Sequence, residues 1–141
     1  MSATILDTDV LIDHLRGHRR LDPCDPAWKI SVVTRCELFA GRNTDEPRLR
    51  RTLNQIEEFS VDRVIAESAG RIRRTTRLDI ADALIAATAL EHQLPLMTRN
   101  LRHFERVAGL VVNTPPDDPE PRDHPEKPSK GASTQPADPT D

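Results

Sequence analysis

The chain has no tyrosine and only four aromatic side chains, Trp28, Phe39, Phe59 and Phe104. Reading exposed nucleobases by stacking needs aromatic rings, so that mode of recognition is poorly supported. Cys24 and Cys36 are the only thiols, with neither a CxxC pair nor histidines spaced to complete a zinc set. No apolar run approaches the roughly 20 residues of a membrane span, and Asp7 and Asp9 interrupt any hydrophobic leader. These absences lead to the expectation of a reduced, cytoplasmic protein without a membrane anchor. Lysine is scarce as well: residues 1–114 contain 16 Arg and only Lys29. Arginine makes bidentate pairs with phosphate, which suits a polyanionic partner, and a high-GC genome produces the same bias without one.

The composition changes at Pro115. Residues 115–141 hold 8 of the 12 prolines and no aromatic residue. So little apolar surface cannot offset the entropy of ordering, and a disordered, Pro-rich tail is expected. This tail carries 7 acidic and 3 basic side chains, a net of −4; the whole chain is −3, so residues 1–114 carry +1. The acidic balance thus belongs to the tail, and residues 1–114 are expected to form one domain.

Within that domain strand-like and helical patterns alternate. Ile5-Leu6 precedes a helical stripe that ends near Gly17, and 18–28 reads as a loop. Ile30 to Val33 is a short buried strand, followed by a helix from Thr34 to Gly41. Pro47 opens a helix carrying Leu49, Leu53 and Ile56. A strand-like piece at 60–64 leads into a polar helix over 65–76. Ile80 to Leu94 is apolar on nearly every side, as a buried central helix must be. Leu96-Met97, a short helix over 101–107 and a last strand at 110–112 complete the series. This alternation predicts a three-layer α/β/α fold around a central, mainly parallel sheet.

Asp7, Glu37 and Asp82 each stand where an apolar, strand-like run gives way to a helix; for Asp82 that run is Arg77-Leu78-Asp79-Ile80. In open α/β sheets such junctions gather at the carboxyl ends of the strands, where ligands bind. Each acid also has a structural explanation. Thr34-Arg35-Cys36-Glu37 matches a capping box, and Asp7, Asp9 or Asp79 can cap a helix start, with Asp82 beside the helix dipole. Together, however, they form an acidic pocket that calls for a cation. Mg²⁺, or Mn²⁺ in its place, suits ligands that are all oxygen.

Four segments resemble the motifs of PIN-domain nucleases, in order: Ile5-Leu6-Asp7-Thr8-Asp9-Val10-Leu11-Ile12, Ile30 through Gly41 with Glu37 before Leu38, Asp82 through Leu90, and Thr98-Arg99-Asn100-Leu101-Arg102-His103-Phe104. The likeness spans residues 3–112 and is nearest to the VapC toxins of type II toxin–antitoxin pairs. It implies a Mg²⁺-dependent endoribonuclease blocked by a VapB-like antitoxin, commonly a homodimer, with the helices around 47–59 and 65–76 as candidate dimer surfaces. It also implies Asp7 and Asp82 as principal metal ligands, with Glu37 binding metal through water or orienting the nucleophile. Asn100 stands at the family's fourth acidic position and adds no charge, while Asp9 replaces a commoner Asn.

Thr8 and Thr98 are placed to bond either the acids or a substrate phosphate. Arg99 and Arg102 are the expected RNA-backbone contacts. Arg71, Arg73, Arg74 and Arg77 either extend a phosphate track or form a solvated helix face. His103 reads as a surface or packing residue. Two other readings stay open: a PIN nuclease that processes RNA without being a toxin, and a degenerate domain that binds RNA or a partner without cutting.

Overall fold

The structure, a computed structural model, describes residues 3–116. Of the tail expected at 115–141, Pro115 is buried and Pro116 exposed, and residues 117–141 lie outside the described residues. Among the described residues eleven elements follow in chain order: β1 (Thr4–Leu6), α1 (Thr8–Leu15), β2 (Trp28–Ser31), α2 (Val32–Phe39), α3 (Glu46–Leu53), β3 (Glu57–Phe59), α4 (Arg63–Thr75), α5 (Ile80–Glu91), β4 (Leu96–Met97), α6 (Leu101–Phe104) and β5 (Val112–Asn113).

Short polar residues start the helices. Asp7, Ser31, Asp45, Asp62 and Asp79 are the N-caps of α1 to α5, each side chain accepting a backbone N–H of the first turn, which satisfies one otherwise orphaned donor apiece. Gly17, in the left-handed region at φ +78°, follows the α1 C-cap Arg16 and turns the chain out of the helix.

All strand pairs are parallel, in the order β3-β2-β1-β4-β5. Side chains alternate across the sheet as the strand period requires. Ile5 and Leu96 enter one core with Ile65, Ile72, Ile85 and Phe104 from α4, α5 and α6. Leu6, Ile30 and Met97 enter the other with Val10, Leu11, Leu38, Leu49 and Leu53 from α1, α2 and α3. Helices therefore cover both faces, giving the expected three layers. The central helix α5 buries Ala83, Ile85, Ala86, Ala87 and Ala89; its small side chains let α4 and the sheet approach on opposite sides. The stripe Leu49, Leu53 and Ile56 is buried core and offers no dimer surface. Among the described residues no helix is long and apolar enough to cross a membrane.

Three local expectations are corrected. The strand expected at 60–64 is β3 at Glu57–Phe59, and α4 already begins at Arg63. As an edge strand it is held by charge as well as by backbone: Lys29 pairs with Glu57 at 2.7 Å and Arg35 with Glu58 at 2.6 Å. Arg77–Ile80 is not a strand: 77–79 lie in the turn between α4 and α5, and Ile80 is the first residue of α5. There the Thr76 hydroxyl donates to the Ile72 carbonyl and accepts from the Leu78 N–H, and Asp79 caps α5. Finally, α2 begins two residues before Thr34, capped by Ser31. Glu37 thus lies in its second half, where a capping box has no use for it.

Candidate active site

The strand order reverses between β1 and β4, since β2 and β3 extend the sheet to one side and β5 to the other. At such a switch point the loops diverge and leave a crevice beyond the carboxyl ends of the two central strands. Asp7 follows β1 directly and Thr98 follows β4 directly. Their side chains meet: the Thr98 hydroxyl donates to Asp7 Oδ2 at 2.8 Å, while Asp7 Oδ1 accepts the Thr8 N–H at 2.8 Å. Thr98 is fully buried and Asp7 only 7% exposed.

Asp7 has no cationic partner within ion-pair distance among the described residues. Burial pushes its carboxyl up to about 7, helped by the charges of Asp9 and Asp82 and opposed by the hydrogen bonds from Thr98 and Thr8. A carboxylate in this state favours either a proton or a cation. Asp9, one step further on, is also raised by burial, with the backbone N–H and charge of Arg99 acting the other way. The Arg99 N–H points at its carboxylate, at 3.3 Å from Oδ2.

The other acids enter from the helices. The Thr8 hydroxyl lies 2.6 Å from Glu37 Oε1 and 2.9 Å from the Thr34 hydroxyl, which ties α1 to α2 behind the site. Asp82 stands in the first turn of α5, and its Oδ2 lies 2.7 Å from His103 Nε2 on α6. The structure thus brings Asp9 and Asp82 close enough to Asp7 to raise its carboxyl, joins Thr98 to Asp7 and Asp9, and joins Glu37 to Thr8, all at the carboxyl ends of β1 and β4. Of the two roles open to Thr8 and Thr98, the hydroxyls are seen bonded to the acids. Asn100 precedes α6 with an exposed side chain that caps nothing, while its N–H donates to the Thr98 hydroxyl at 3.1 Å. Arg99 pairs with Asp13 at 2.8 Å, whereas Arg102 lines a separate cleft with Arg77, His103 and Arg106.

Sequence reasoning missed three of these residues. His103, expected as a surface or packing residue, is the partner of Asp82; in sequence only its place within the fourth motif points to the site. Thr34 anchors Thr8, where its sequence context indicates only a helix start. Asp13, nearly buried, takes the charge of Arg99; its spacing of four from Asp9 on one helix face was the available signal.

The donor set suits a hard divalent cation: carboxylates only, with a buried, unpaired Asp7 at the centre. As they stand, no three His, Cys, Asp or Glu side chains among the described residues converge into a set that could hold a metal ion. Asp82, Glu37 and Asp9 are each held by a hydrogen bond of their own.

A model of the PIN domain family matches residues 4–110. Two curated relatives are ribonuclease VapC10 of Mycobacterium tuberculosis, 39% identical over 71% of this chain and 84% of its own length, and ribonuclease VapC1 of Methanocaldococcus jannaschii, 33% identical over 79% and 87%. Among solved structures, a toxin–antitoxin complex from Klebsiella pneumoniae is 34% identical with TM-score 0.66, over 77% of this chain and 96% of that one. DNA-bound VapBC from Salmonella typhimurium, 24% identical, shares the fold at TM-score 0.68 over 81% and 98%. With its parallel sheet, its switch-point acids and these relatives, the chain belongs to the PIN-domain family, in its VapC branch.

Proposed function

We propose that the chain is a Mg²⁺-dependent endoribonuclease, the toxin of a type II toxin–antitoxin pair, restrained by a VapB-like antitoxin. The observation that carries this is Asp7: a buried carboxylate at the switch point, near Asp9 and Asp82 and with no ion-pair partner among the described residues. Its relatives' names as ribonucleases and the toxin–antitoxin complex among its structural neighbours support the same reading.

Asp7 and Asp82 would hold the metal, with Glu37 and Asp9 at its periphery. When bound there, the ion would supply Lewis-acid activation of water and charge neutralisation at the phosphoryl group. The protein's part is to keep its acids ionised and aimed. Thr98 and the Thr8 N–H fix both Asp7 oxygens, and their hydrogen bonds favour the charged form. Thr8 holds Glu37 by one oxygen, and no hydrogen bond engages the other oxygen among the described residues. Glu37 can therefore orient a water and receive its proton. Asn100, beside this crevice, contributes a neutral amide and no charge. A homodimer belongs to the same reading and is checked by mass in solution.

The test is cleavage of total RNA by the purified, antitoxin-free chain with Mg²⁺, with EDTA, and as Asp7→Asn. Cutting that needs the metal and disappears in the variant supports the nuclease. Growth arrest that depends on Asp7 and is relieved by a co-expressed VapB-like antitoxin separates a toxin from an RNA-processing enzyme. RNA bound by the folded protein but left intact would favour the binding module, the reading that Asn100 leaves open.

A further inference from the structure

The two arginines nearest the fourth motif do different things. Arg99 is committed to Asp13 at 2.8 Å. Arg102 lines a cleft of about 380 Å³ with Thr76, Arg77, Leu78, His103 and Arg106. This lining contains no carboxylate, and among the described residues none of Arg77, Arg102 and Arg106 is in an ion pair. Three like charges around one recess repel one another unless an anion lies between them. The cleft also has built walls. The Thr76 bonds to Ile72 and Leu78 lock the turn that presents Arg77, and Arg73 Nε donates to the Leu78 carbonyl at 3.3 Å. Buried Phe104 and Val107 anchor the segment that carries Arg102 and Arg106.

His103 joins this cleft to the acidic site, because it lines the recess and its Nε2 contacts Asp82 Oδ2. The groove on the Glu37 side differs: Arg16, Arg42 and Arg48 there share the lining with Asp45 and an apolar floor of Leu38 and Leu49. Of the two, only the Arg77–Arg102–Arg106 recess is uniformly cationic.

The geometry points to this recess as a phosphate subsite that holds the RNA backbone next to the cleavage position, on the Asp82 side. The assignment rests on the nuclease reading above. Guanidinium groups match phosphate oxygens bidentately and carry no base preference, so the subsite sets the register of the strand and not its sequence.

Binding of a fluorescein-labelled oligouridylate, in EDTA so that nothing is cut, tests it across a salt series. Each lost phosphate contact lowers the slope of log affinity against log salt by about 0.7 for single strands. Combined Arg77→Gln, Arg102→Gln and Arg106→Gln should therefore flatten the slope by about 2 and weaken binding at low salt. Arg51→Gln, an exposed arginine on α3, should leave both unchanged. The corresponding triple lysine variant should keep the slope while binding more weakly, and an unchanged melting temperature shows that the fold is intact.

A wild-type slope in the triple glutamine variant overturns the subsite. So does oligouridylate binding that is retained while binding of polyglutamate is lost, since the recess would then dock an acidic polypeptide. Loss of uridine monophosphate binding in the triple glutamine variant, with the oligouridylate slope unchanged, would make the recess a mononucleotide pocket and is equally fatal. If the wild type neither binds nor cleaves RNA, the nuclease reading fails and this one with it. If it does both and the triple variant is indistinguishable from it, the subsite alone is wrong.

Discussion

Asp7 and Asp82 feel each other's charge across one crevice, yet their surroundings differ. Asp7 emerges from the central strand, almost fully buried, with both oxygens occupied by rigid donors. Asp82 projects from the first turn of a helix, its side chain 20% exposed, against a histidine that is itself 41% exposed. The first is fixed by the sheet and the second by a contact between two helix starts. A site made this way has one rigid wall and one adjustable wall. Substitutions on the rigid wall should therefore be more costly to function, and metal binding should be felt most strongly there.

The largest effect is expected at Asp7 itself. Asp7→Asn keeps the shape and removes the charge, so RNA cleavage should fall on the order of 10²-fold or more, the several kcal/mol a metal site supplies. In metal-free buffer above neutral pH, the same variant should melt higher than the wild type, because a buried charge has been removed. Lower stability together with lost activity would show that Asp7 supports the fold, and the contrast between the two walls would fail.

The same carboxyl predicts a pH dependence. Its folded-state value of about 7 lies above the ordinary 3.8, so the folded chain binds the extra proton more tightly than the unfolded chain. The stability this contributes is complete below about 3.8 and is lost as pH rises through about 7. The loss is at most about 4 kcal/mol at 1.36 kcal/mol per unit. Denaturant melts of the metal-free protein should thus weaken across this window, and Asp7→Asn should flatten the profile. Millimolar Mg²⁺ should raise stability mainly above neutrality, where the carboxylate is ionised. A metal effect equal at all pH values would place the ion elsewhere.

Thr98→Val removes the hydroxyl that donates to Asp7 and accepts from the Asn100 N–H. Activity should fall about 10- to 100-fold, the usual range for residues that orient a metal ligand, and stability by about 1–3 kcal/mol for the buried groups left unpaired. Thr98→Ser should restore most of the activity. On the adjustable wall His103→Ala should cost about 10-fold at most and barely change melting, since the pair is partly solvated. An effect of His103→Ala as large as that of Thr98→Val would erase the distinction between the walls.

This asymmetry also governs what could be read from sequence. The rigid wall was legible: apolar Ile5-Leu6 ending at Asp7 and Leu96-Met97 ending at Thr98 mark central strands whose ends must meet in a parallel sheet. The all-apolar face of α5 was legible for the same reason. The edge was not. Glu57-Glu58-Phe59 lacks the strand signal because its two acids are neither apolar nor β-branched; it is held by parallel pairing to β2 and by ion pairs with Lys29 of β2 and Arg35 of α2, while β-branched Val61 and Val64 nearby mimic a strand. The Asp82–His103 contact was hidden because α6 has only four residues and their placement depends on how α5 and β4 pack. Local pattern carries no information about such a meeting.

The smallest predicted effect on RNA handling concerns Arg99, and it separates the two roles that one motif assigns to neighbouring arginines. Arg99 is about half exposed and its partner Asp13 mostly buried, so the pair is worth at most about 1 kcal/mol after solvent screening. Arg99→Gln should lower the melting temperature by a few degrees, chiefly because Asp13 loses its charge partner. The salt slope for RNA should change less than in any single variant of Arg102 or Arg106. A slope change at Arg99 as large as at Arg102 would mean that RNA draws Arg99 off Asp13, and that the backbone path runs over the β4–α6 loop as well as through the recess.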